Sequence, residues 1–422
     1  MVMAPVAAER ELALRQLLEA MNTEPGLVDP HNALLPFAEF DRLHYARLVI
    51  LEDATLGDMA IHHLPARSYP KYLVFMGDCD GAANDILADL VQRAEAGLRK
   101  IFMHCTGFDA QGDLLQWLCA NDQPVAANYV NWAGRTVLQV RQESALQRVF
   151  SARVPRTALR SGSEAQQVRR ELVKFAREEL GAGRLVLARP VATPLLRKIA
   201  NLAHALFVPL LLGPPLILLA PIIVVLLRIR ETRDPEYCPP PDEEALRALR
   251  LLEDRDVTNQ FSALGAVKPG LFRRWLVTVI LVAINYACRH LFNRGHLGRV
   301  RTIHFARWVF VDNKQRIIFA SNYDGSHEAY MDDFINKVAW GLNLIFSNGV
   351  GWPRTAWLIK QGARHEERFK RYQRRHQIPT QVWYKAYPGL TTLDMIRNHR
   401  IRVGFECDTV TDAQALAWLR LL

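Results

Sequence analysis

The stretch Thr302–Tyr330, TIHFARWVFVDNKQRIIFASNYDGSHEAY, decides how this chain is read. Ile303–Val311 is rich in β-branched and aromatic residues, which reads as a strand. Asp312-Asn313-Lys314 is a tight-turn sequence, and Arg316–Ser321 reads as the return strand. Asp324-Gly325 then releases the chain into a helix expected from about Ser326 to Leu344. A weaker copy lies within Leu43–Asp85, as LHYARLVILED and, after an irregular insertion, PKYLVFMGDCDGAAND.

The matches run in order. His44-Tyr45-Ala46-Arg47 answers to His304-Phe305-Ala306-Arg307, and Asp80-Gly81 to Asp324-Gly325. Further on, Pro124, Tyr129, Trp132 and Gly134 answer at a constant offset to Pro379, Tyr384, Tyr387 and Gly389. An ordered series points to duplication of a small α+β unit whose helices cover one face of its sheet. The expected segments are an N-terminal helix and loop (1–40), a first α+β unit (41–150), a helical connector (151–300), a second α+β unit (301–405) and a tail helix (406–422). Within the connector, residues 151–195 read as basic and helical, and 231–270 as a polar linker with one short helix.

Half of the 422 residues are apolar and the net charge is +10, which calls for an anionic partner. Arginines are scattered among helices with no nucleic-acid module, so nucleic acid is not expected. The run Ala205–Leu227 has no charged residue and is long enough to cross a bilayer. Pro209, Gly213, Pro214, Pro215 and Pro221 interrupt it, so a kinked span or a hairpin turning at Gly213-Pro214-Pro215 is expected. Trp275–Cys288 is short for a span and suits an interfacial helix. A single crossing would put the two α+β units on opposite sides, where their sheets could not pair. Attachment with both units on one side, the cytoplasmic one, is therefore expected, against anionic headgroups. The N-terminus lacks the apolar core of a secretory signal. The six cysteines are dispersed, with no metal or disulfide spacing. The sequence carries no signal for oligomeric state.

Two repeated ferredoxin-like units paired as a pseudo-dimer resemble the dimeric α/β-barrel superfamily, which includes dye-decolourising peroxidases, chlorite-dismutase-like haem proteins and small monooxygenases. The resemblance covers about half of the chain and rests on element order and duplication. Gly77-Asp78-Cys79-Asp80-Gly81 fits the GxxDG pattern of dye-decolourising peroxidases, although Ser321–Gly325 lacks the first glycine. The resemblance implies a membrane-associated oxidoreductase, haem-dependent or cofactor-free, acting on an apolar or lipid-derived molecule. The alternative is a non-catalytic membrane-associated protein that binds lipid or protein.

The candidate site residues follow from strand alternation. His304, Ala306, Trp308 and Phe310 should face one way and Phe305, Arg307, Val309 and Val311 the other. Arg307 and Arg47 either bind an anion or activated oxygen in a shared pocket, or brace the sheets against a carboxylate such as Asp80 or Asp324. His304 and His44 are candidates for haem ligation, with the iron at His304. Asp324 and Asp80 suit helix N-capping or acid–base work. His327 suits a catalytic imidazole or an exposed first-turn residue. Trp340, Trp383, Tyr384 and Tyr387 are redox or core aromatics.

Overall fold

A computed structural model describes residues 1–154 and 165–422. Part of the basic stretch expected to be helical, residues 155–164, lies outside the described residues; beyond it Ala165–Gly181 is a helix.

Eight strands build two four-stranded sheets. They are β1 (Val2–Pro5), β2 (Leu43–Leu51), β3 (Tyr72–Cys79), β4 (Ala127–Val130), β5 (Thr258–Ala266), β6 (Ile303–Val311), β7 (Arg316–Asp324) and β8 (Val382–Lys385). The first sheet has the order β1-β3-β2-β8 and the second β4-β6-β7-β5, with every pairing antiparallel. Two strands are exchanged. β8 comes from the C-terminal half and pairs with β2, Val382 opposite Leu48. β4 comes from the N-terminal half and pairs with β6, Ala127 opposite Trp308. Neither half therefore completes its own sheet. Met3, Val49, Val74, Leu264, Val309 and Ile318, one from each of six strands, fill the space between the sheets.

The helices also correspond. α2 (Ala83–Phe102) and α9 (His327–Phe346) are 20 residues each, and each is interrupted once, at Ala94 and Val338. α4 (Val137–Ser151) and α11 (Thr392–Glu406) are 15 residues each, and each is capped by a threonine hydroxyl, Thr136 or Thr391.

Contacts divide the chain differently from the expected segments. One compact unit comprises Met1–Ala133 and Thr193–Pro388 and holds both sheets. The other, Gly134–Ala192 with Gly389–Leu422, is helical. In it α4, α5 (Ala165–Gly181), α11 and α12 (Asp412–Leu419) surround Phe150, Leu172, Phe405 and Trp418.

Three expectations need correction. β1 falls in the stretch expected as an N-terminal helix and β5 in the expected polar linker, yet both are sheet strands. In β5 the polar residues Thr258, Asn259, Gln260 and Ser262 are all buried, so composition conceals the strand. The segment 275–288 is the middle of α8 (Leu271–His290), the connection from β5 to β6. It packs on β4 and buries Val277, Leu281 and Cys288, while Trp275 and Val282 remain exposed. The proline-rich run does not turn at Gly213-Pro214-Pro215. It is part of one continuous helix, α6 (Leu195–Arg233), of 39 residues. α6 and α8 are both long and apolar enough to cross a membrane.

Candidate functional site

The paired His-aromatic-Ala-Arg segments sit at the centre of the first unit. Both strands are bulged at the histidine. In one sheet Leu43 lies opposite Cys79 and Tyr45 opposite Asp78; in the other Ile303 lies opposite Tyr323 and Phe305 opposite Asn322. A bulge inserts an unpaired residue and breaks the alternation of faces. Trp308 packs in the core beneath α9, as alternation requires, but His304 leaves that face and reaches the first sheet.

Both nitrogens of each imidazole are occupied. His304 lies 3.0 Å from the Tyr45 hydroxyl through Nδ1 and 2.6 Å from Asp324 through Nε2. His44 lies 2.9 Å from the Tyr387 hydroxyl and 3.1 Å from Asp80 in the same way. Burial and neighbouring acidic groups push the Tyr45 hydroxyl well above its ordinary pKa. Tyr45 therefore donates to Nδ1 of His304, which leaves the Nε2 proton for Asp324. Asp324 also accepts from the Thr258 hydroxyl at 3.1 Å. Neither aspartate caps a helix: Ser326 caps α9, and Ala82, which precedes α2, gives no side-chain cap.

The two arginines are buried and reciprocal. Arg47, from the first sheet, donates to the carbonyls of Phe261 and Ser321, to the Ser262 hydroxyl and to Asn322. Arg307, from the second, donates to the Gly77 carbonyl and to Asp78. Asn322 closes the cluster by donating to Asp78 at 2.7 Å. The bracing carboxylate is thus Asp78, not Asp80 or Asp324. Only Arg307 bonds that carboxylate, and burial, aided by Arg307, lowers the Arg47 pKa to about 9. Trp383 stacks on Tyr45 and carries Arg47 4.9 Å from its ring centre. Tyr384 stacks on Phe37, whereas Trp340 is exposed.

His327 is 1% exposed, not a surface residue. Burial, with Arg374 and Lys370 nearby, depresses its pKa to about 3. Its folded pKa lies below the unfolded value, so the neutral ring favours folding above about pH 6.5, and that stability is lost as pH falls toward 3. At pH 5 the loss is about 2 kcal/mol for this residue. Urea unfolding at pH 7 and pH 5 should show a smaller acid-side loss in His327→Gln than in the parent; an equal loss would place the histidine's titration elsewhere.

The residues present do not fit haem. His304 and His44 have no ring nitrogen left for iron, and apolar side chains fill the space between the sheets. Among the described residues no group of three or more His, Cys, Asp or Glu side chains is placed to hold a metal ion. The central cluster braces the two sheets against each other.

A second feature of this unit is open to solvent. The apolar stretch of α6 is almost wholly exposed, with Leu211 73% and Leu218 79% accessible. Both of its ends are tied to α8 or beside it. Near the start, the Ala205 carbonyl accepts from the Tyr286 hydroxyl at 2.8 Å and Asn201 from Arg289 at 2.6 Å. At the end, Asp234 accepts from Arg273 at 2.5 Å and Lys268 at 2.7 Å. Buried Glu231 accepts from the Thr355 hydroxyl and from the amides of Trp357 and Leu358. Ala205 to Asp234 rises about 44 Å along α6, whereas Tyr286 back to Arg273 rises about 20 Å along α8. Both ends of α6 are thus held to one body through the long side chains of α8. All four internal prolines, Pro209, Pro214, Pro215 and Pro221, lie between the ties, where lost backbone hydrogen bonds permit bending.

Set against known protein families, curated proteins and solved structures, the chain matches none. Asp78, Asn322 and Tyr45 were not singled out from sequence. Extending the copy alignment back two residues from Asp80 and Asp324 would have paired Asp78 with Asn322.

Proposed function

We propose that this is a monotopic membrane protein that binds lipid or a membrane partner and whose tandem ferredoxin-like units form a rigid, non-catalytic platform. The tying of both ends of the apolar, exposed helix α6 to one side of the sheet-bearing unit carries this reading. With both ends on one body, α6 enters and leaves a single leaflet. The apolar stretch between the ties is the part that meets acyl chains, and basic Arg197, Lys198, Arg228, Arg230 and Arg233 at its ends suit anionic headgroups. The reciprocal arginines, the matching bulges and the exchanged strands support the reading of a duplicated, interlocked unit. An exposed apolar surface of this size is not left open to water.

Flotation through a density gradient tests the attachment. The protein should rise with phosphatidylcholine vesicles and stay with them through high salt and alkaline carbonate. Recovery at the bottom of the gradient as dispersed, monomeric protein would overturn the reading.

A further inference from the structure

A cavity of about 180 Å³ opens where the loop Leu56–Tyr69 covers the end of β5 and the start of α8. Taking about 30 Å³ for each water in the liquid, it has room for roughly six water-sized groups. Its floor is apolar, from Leu56, Met59, Leu64 and Val267. Its charged lining has one sign only: Arg67, Lys268 and Arg274. Lys268 is buried and paired with Asp234. Among the described residues, however, neither the Arg67 nor the Arg274 guanidinium has a hydrogen-bond or carboxylate partner within the chain. Arg67 is exposed and Arg274 half-buried, so both guanidiniums are free to take an anion beside the buried ammonium, and planar guanidinium suits phosphate oxygens.

The cavity's position suggests where the anion comes from. Gly270 and Arg274 belong to the α8 start, the end at which Asp234 ties down the C-terminal end of α6. Arg230, one residue past exposed Ile229, approaches Gly270. Exposed Leu271 and half-exposed Trp275 follow along α8. In a monotopic pose this is the depth at which acyl chains give way to headgroups.

We infer that this cavity binds the phosphate of an anionic lipid, Arg67 and Arg274 holding the phosphate oxygens and the apolar floor receiving the adjoining glycerol and first methylenes. The inference rests on the membrane reading above. Lys268, whose pKa burial lowers to about 8 despite Asp234, would be held charged by a bound phosphate.

The test compares the whole chain with Arg67→Gln/Arg274→Gln, on vesicles of phosphatidylcholine alone and with a quarter phosphatidic acid. Arg93→Gln/Lys100→Gln, on α2, removes the same charge elsewhere. The parent should prefer the acidic vesicles, and the cavity variant should lose about 30-fold of that preference. Its binding to phosphatidylcholine, which depends on α6, should not change, and the control variant should keep the preference. Equal preference in the cavity variant and the parent, or equal loss in the control, would overturn the site. Failure of the parent on phosphatidylcholine alone would instead strike the membrane reading. Calorimetry with soluble glycerol phosphate separates the sources. Weak binding lost in the cavity variant assigns the site to phosphate as such, and its absence beside retained vesicle preference assigns it to lipid. Absence of both would overturn it.

Discussion

Arg307→Met should destabilise the protein by about 3–5 kcal/mol, read as a lower urea midpoint at neutral pH with an unchanged denaturant slope. Arg307 is the only arginine bonded directly to buried Asp78 among the described residues, and its loss leaves that carboxylate with Asn322 alone. Removing one member of a buried ion pair costs far more than the pair itself contributes, because the remaining charge is stranded. Arg47→Met should cost less, although it occupies the corresponding position. Arg47 bonds to carbonyls, a hydroxyl and an amide, so its loss strands no charge and relieves its repulsion with Arg307. The alternative of an anion-binding site makes the opposite prediction. Charges held in place for a ligand store strain in the free protein, and deleting them commonly stabilises it. A raised midpoint in either variant would therefore revive the anion-binding reading of the arginines.

The second large effect concerns α6. Leu211→Asp/Leu218→Asp should abolish flotation with vesicles while leaving the fold untouched. Both side chains are exposed, and surface changes of this kind usually move stability by less than about 0.5 kcal/mol. Aspartate at the centre of a bilayer-embedded helix costs about 3 kcal/mol. Even at half that cost, because an in-plane helix lies shallower, two substitutions weaken partition by about 10²-fold. Unchanged flotation in a variant with parent-like unfolding would mean that some other surface holds the membrane.

Much of the architecture was legible in the sequence, and the exceptions have physical causes. β2, β3, β6 and β7 announced themselves because buried strands with a β-branched, apolar composition leave little else for those residues to do. α9 followed from the Asp324-Gly325 turn that releases the chain into it. β5 escaped because Thr258, Asn259, Gln260 and Ser262 at its buried start are polar, satisfied by hydrogen bonds that no local pattern reveals. β1 escaped because four residues are too few to show a period.

The site was half legible. The two His-aromatic-Ala-Arg segments were found, but the period-two rule assigned His304 to the wrong face because it assumes unbroken pairing. The bulge is a tertiary event, set by which residues lie across the ladder. Asp78 was overlooked in favour of Asp80 because the longer match, Asp-Gly, drew the alignment to the turn. Proline chemistry alone left open a kinked span or a hairpin at Gly213-Pro214-Pro215, and the helix is continuous. The ties of α6 to α8, made by residues more than 80 positions apart in one case, leave no local signal.

One labelling experiment bears most directly on monotopic insertion. Single cysteines replace Lys198 and Arg233, at the two ends of α6, in a chain whose exposed Cys119 and Cys407 are changed to serine. The protein is added to the outside of preformed sealed vesicles, which are then treated with a membrane-impermeant maleimide. Insertion into one leaflet predicts that both positions are labelled from outside, to the same extent. Labelling at one end with protection of the other, relieved only when detergent opens the vesicles, would show that α6 crosses the bilayer and would contradict it.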